Sequence, residues 1–129
     1  MANLTGLWEG QYKYPGGWKA PVSFDADITD KSGQIRGIIS EPNSFDEQAG
    51  PLLTAALAGQ VSDSYVIFTK TYVGEGRAQH SLIYEGRLSK DDNRIVGAWR
   101  IGMFSGEFEM SRLSDGTIEV IETKEEIKI

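Results

Sequence analysis

From Leu4 to Tyr14 the chain reads LTGLWEGQYKY, with an aromatic residue or glycine at every second position from Gly6 onward. Period-two alternation of this kind marks a strand buried on one face. The same period recurs along the chain with turn signals between the stretches, and no segment carries a sustained helical period. The pattern predicts strands over 6–14, 22–29, 34–41, 52–60, 65–72, 80–88, 94–101 and 104–112. Sequential strands joined by short connections predict an all-β, eight-stranded up-and-down antiparallel β-barrel over 1–112, with a C-terminal extension over 113–129. Eight strands enclose either packed side chains or one small ligand.

The apolar parity of each strand assigns the inward face. It takes in Trp8, Tyr12 and Tyr14 on the first strand, and Phe24, Ala26 and Ile28 on the second. On later strands it takes in Leu57, Phe68, Tyr84, Trp99, Phe104 and Phe108, and it ends at Arg112. The other parity, with Glu9, Asp25, Asp27, Glu85, Arg100 and Glu109, faces water. Leu7, Ile38, Ile67, Ile83 and Val96 break that rule and form a candidate outer patch for a second subunit in a homo-oligomer. Inward glycines leave room for neighbouring rings. A Gly102-Met103 turn would set Trp99 across from Gly106, and a connection after Tyr14 would set Gly10 across from Ala26. Four-residue turns at 30–33 and 61–64 would set Glu41 across from Val22 and Lys70 across from Ala55.

The connections differ between the two ends of the barrel. The turns at 30–33, 61–64 and 90–93 are compact and polar, and lie where the first strand begins. The connections 15–21, 42–51 and 73–79 are longer, rich in Gly and Pro, and lie at the opposite end, which predicts a mouth there. Phe45 falls in a candidate lid, and Trp18 in an exposed loop.

Composition narrows the function classes. A net charge of −6, from 19 acidic and 13 basic residues, argues against nucleic acid and against acidic membrane surfaces. No apolar run approaches a membrane helix, and the N-terminus lacks a signal-peptide pattern, so the expectation is a soluble, cytoplasmic chain. The absence of cysteine removes disulfides and thiolate chemistry. No catalytic, cofactor or metal motif is present, and the sequence requires no cofactor.

Candidate chemistry therefore rests on the ionisable residues of inward parity near the mouth: Glu41, Lys70 and His80. Such charges are costly unless paired. Glu41 and Lys70 either form an ion pair that specifies the interior, or hold the polar head of a small-molecule ligand. In the second case the ligand's apolar part lies among Tyr12, Tyr14, Tyr72, Tyr84 and Trp99. A ligand-binding barrel, a filled structural module, and an isomerase or cyclase using Glu41 and His80 as acid and base all remain open at this level.

Gly6-x-Trp8 on the first strand, followed by a meander ending in Arg112, resembles the calycin barrels: lipocalins, fatty-acid-binding proteins and avidins. The resemblance implies that Arg112 packs over Trp8 by cation–π contact and closes one end of the barrel. Leu4-Thr5-Gly6-x-Trp8 is most similar to the start of avidins, but Gly10 and Tyr14 stand where avidins place their biotin-binding asparagine and serine. Gly6-Leu7-Trp8-Glu9-Gly10 with Tyr14-Pro15 also resembles nitrobindin-type haem barrels, which would make His80, the one histidine, the axial ligand.

Overall fold

Large apolar side chains on alternate residues of every strand leave a sheet that buries one face by curling onto itself. In the computed structural model that curl is complete, giving one closed barrel in the order β1 to β8. The structure describes residues 2–17, 19–42, 52–73 and 81–114. The strands are β1 (Gly6–Tyr12), β2 (Val22–Lys31), β3 (Gln34–Pro42), β4 (Leu52–Ser62), β5 (Tyr65–Tyr72), β6 (Ser81–Leu88), β7 (Arg94–Ile101) and β8 (Phe104–Ser114). All neighbours run antiparallel, and β8 pairs back onto β1. Closure removes the free edges that would template pairing with another chain. Among the described residues no helix is long and apolar enough to cross a membrane. His80, Trp18, Phe45 and the extension beyond Ser114 lie outside the described residues.

The inward parity is buried through the length of the barrel, from Trp8, Ile28 and Ile95 near one end to Tyr12, Tyr84 and Trp99 toward the other. Rings interlock in its middle: Phe68 stacks on Tyr84 with centroids 5.0 Å apart, and Phe108 meets the Tyr84 ring edge-on at 4.9 Å. Trp99 lies across from Gly106, where a Cβ would come within 2.6 Å of the indole nitrogen. Phe104 departs from its expected inward place and is 67% exposed. The two-residue turn Gly102-Met103 brings it to the tip of the β7–β8 hairpin, beyond the last layer that the barrel wall can cover.

Three registers differ from the expected ones, each by two residues. Lys31 pairs with Gln34, so the β2–β3 turn is Ser32-Gly33 alone, and Ile39 rather than Glu41 marks the last inward pair, opposite Ala26. Ser62 pairs with Tyr65, which puts Lys70 across from Leu57 and gives Ala55 to Tyr72. β1 ends at Tyr12, opposite Val22, so Gly10 faces Phe24 and Trp8 faces Ala26. Positive φ at Ser32 (55°) and Gly33 (91°) gives the tight turn the twist that antiparallel strands favour.

The outer aliphatics differ in exposure. Ile38 (51% exposed) sits across from Ala56, whereas Val96 (48% exposed) stands between Arg87 and Glu109. Leu7, Ile67 and Ile83 are half-buried.

The end at which β1 begins is sealed by the N-terminal segment. Leu4 is fully buried beneath it; its amide donates to Asp30 Oδ2 at 2.9 Å and its carbonyl accepts from Trp8 Nε1 at 2.9 Å. Asp30 Oδ1 also accepts from the Gly33 amide at 2.9 Å, so one buried carboxylate fixes both the N-terminal strap and the β2–β3 turn. The Arg112 guanidinium sits 4.8 Å over the Trp8 ring. It donates to the carbonyls of Asn3 and Thr5 at 2.9 Å and to that of Asp92 at 2.6 Å. Arg112 thus ties β8 to the strap and to the β6–β7 turn.

Candidate functional site

At the opposite end, strand parity turns five polar side chains into the barrel. Tyr12 is the last residue of β1 and Glu41 the penultimate residue of β3. Lys70 lies two residues before Tyr72, the end of β5, and Tyr84 is on β6 next to it in the sheet. Glu41 and Lys70 are each 1% exposed and form an ion pair between Lys70 Nζ and Glu41 Oε1. The other carboxylate oxygen, Oε2, accepts from Tyr12 Oη at 2.6 Å and from Tyr72 Oη at 3.1 Å. Lys70 also donates to Tyr84 Oη at 3.5 Å. Its ammonium is caged by rings, with centroids of Tyr12, Tyr72 and Tyr84 at 4.5, 4.8 and 5.7 Å.

The energetics of this knot follow from its burial. Burial pulls the Lys70 ammonium below the usual lysine range, and the Glu41 carboxylate opposes that pull. Burial, reinforced by Glu41, holds the phenols of Tyr12 and Tyr72 well above their ordinary range, and burial does the same for Tyr84. Protonated phenols are donors, so the three hydroxyls remain hydrogen-bonding groups across the physiological range. Every buried polar side-chain atom among the described residues has a partner.

The remaining candidates surround this knot or lie apart from it. Tyr14, half-buried just past β1, meets the Tyr12 ring edge-on at 5.8 Å and the Trp99 ring at 6.1 Å. Trp99 forms a wall rather than part of the polar cluster, donating its indole N–H to the Lys13 carbonyl at 3.0 Å. Trp8 and Arg112 belong to the sealed end. The structure therefore brings together Tyr12, Glu41, Lys70, Tyr72 and Tyr84, borders them with Tyr14 and Trp99, and leaves the Trp8–Arg112 pair at the far end.

Sequence reasoning missed Asp30, which reads as a turn residue because it precedes Lys-Ser-Gly. Its even number, matching Phe24, Ala26 and Ile28, was the available signal that β2 continues through it. Chemically, the cluster combines hydroxyl and ammonium donors with aromatic faces in one buried layer.

In comparisons with known proteins, no family model matches this chain and no curated protein is similar to it at a significant level.

Proposed function

We propose that the barrel binds a small, partly apolar molecule at the end holding Glu41 and Lys70. The polar part of the ligand contacts the Lys70–Tyr84 side of the knot, and its apolar part packs among Tyr14, Tyr72 and Trp99. The observation that carries this reading is the fully buried, tyrosine-caged ion pair confined to the end with the long connections. A buried ion pair gives little stability relative to apolar residues of the same volume. A core built for stability alone would fill those positions with aliphatics, as the sealed half of this barrel does with Ile28, Ile35 and Ile95. The half-buried Tyr14, Tyr72 and Leu82 around the knot support an approach from that end.

We read the architecture as calycin-like, on the strength of the closed meander and the Arg112 guanidinium over Trp8. A second reading, a filled structural or interaction module, draws support from the fact that every buried side-chain N and O atom among the described residues has at least one hydrogen-bond partner. Native mass spectrometry of protein purified from its own host separates the two. The binding reading expects a discrete small-molecule mass that is lost on collisional activation; a clean apo mass from several preparations favours the filled module.

A further inference from the structure

The hydrogen-bond inventory of the knot is unequal on its two sides. Glu41 Oε2 is filled by Tyr12 and Tyr72, and Oε1 already takes the Lys70 ammonium. On the other side, Lys70 has three N–H donors, of which one goes to Glu41 and one to the long contact with Tyr84. Tyr84, 1% exposed, accepts from Lys70, and its own O–H proton has no acceptor among the described residues. One ammonium proton and one phenol proton are thus unspent, on atoms 3.5 Å apart. A single oxygen about 2.8–3.0 Å from each atom would satisfy both.

Resting on the binding reading above, we infer that this pair receives one uncharged acceptor oxygen, and that the ligand class is a neutral carbonyl compound with an apolar body. Charge balance selects against an anion. A carboxylate placed against Lys70 would be attracted by the ammonium and repelled by Glu41, which is in contact with that ammonium. The two effects largely offset each other, while the cost of stripping water from the carboxylate stays. A carbonyl oxygen accepts both protons without bringing a second negative charge. Its carbon body would lie against the Tyr72 and Tyr84 rings that cage Lys70.

Equilibrium dialysis with three probes of nearly equal shape tests this: acetylnaphthalene, the hydrocarbon ethylnaphthalene, and naphthoate. The inference expects acetylnaphthalene to bind about tenfold tighter than ethylnaphthalene, as the gain from the acceptor oxygen predicts, with naphthoate also weaker than the ketone. Tyr84→Phe, which keeps the ring, should cut ketone affinity about fivefold and leave the hydrocarbon unchanged. The infrared carbonyl stretch of bound acetylnaphthalene should lie lower in the wild type than in that variant. Equal binding of ketone and hydrocarbon, tightest binding of naphthoate, or an unchanged ketone affinity in Tyr84→Phe would overturn the inference while leaving a binding barrel in place. Failure of all three probes to bind at millimolar concentration would overturn the inference and count against the binding reading as well.

Discussion

Replacing Lys70 with methionine removes the cation from the tyrosine cage and leaves Glu41 buried with no countercharge. Breaking a buried pair from one side costs about 3–5 kcal/mol, because the remaining charge is desolvated without compensation. Two features move the expected value toward the lower end. Glu41 keeps the hydrogen bonds from Tyr12 and Tyr72, each worth about 1.5–3 kcal/mol to a charged acceptor. Methionine also refills the lysine stem, with its thioether against the rings. We therefore expect Lys70→Met to destabilise by about 3 kcal/mol, a large share of the roughly 5–15 kcal/mol that holds a domain together. Glu41→Gln together with Lys70→Met removes both charges while the glutamine carbonyl still accepts from the phenols, so the double variant should recover about 2 kcal/mol. Urea unfolding followed by tryptophan fluorescence and circular dichroism reads this as a shift in midpoint at constant slope. A single variant within about 0.5 kcal/mol of wild type, or a double variant no better than the sum of the singles, would refute the claim that the pair is desolvated and coupled.

At the sealed end, Arg112→Ala loses the stack on Trp8 and three carbonyl contacts, and should cost about 2 kcal/mol in the same assay. Arg112→Lys should recover only part of this, because an ammonium cannot serve several carbonyls from one plane; an unchanged midpoint for alanine would remove the closure from the account. All five tyrosines titrate above the ordinary phenol range, with Tyr12, Tyr72 and Tyr84 held there chiefly by burial. Above about pH 10 the unfolded chain gives up phenol protons that the folded barrel keeps, so stability falls as pH rises through that point. Lys70, lowered by burial, acts in the opposite direction, but its effect is complete by about pH 10.5 and leaves the fall above that point to the phenols. Phenolate absorbance should therefore rise together with loss of the native circular dichroism, and a full phenolate signal from folded protein would contradict the burial of the cluster.

Strand parity was legible because a closed barrel has one inside, and a two-residue change of register never moves a side chain across the sheet. That is why Glu41 and Lys70 are assigned to the interior although their expected partners, Val22 and Ala55, are not the ones observed. Turn length was the illegible part. Asp30 and Lys31 carry turn chemistry in their composition, yet both belong to β2, because the Leu4 and Gly33 amides give Asp30 the partners that permit its burial. The Leu4 amide comes from a segment twenty-six residues away, a tertiary contact no local pattern encodes. The same limit explains Phe104: alternation continues through it, but the wall of the barrel does not. The convergence of Tyr12, Tyr72 and Tyr84 on one ion pair depends on register around the barrel, so parity could nominate these residues without giving their hydrogen bonds.

The central claim is that the knot at the Glu41–Lys70 end is a receptor for a small molecule. A crystal structure of protein purified from its own host measures it most directly. The account predicts electron density for a non-protein molecule with a polar atom within hydrogen-bond distance of Lys70 Nζ and Tyr84 Oη. Side chains of the chain itself occupying that position, with Lys70 and Tyr84 satisfied from within, would contradict it.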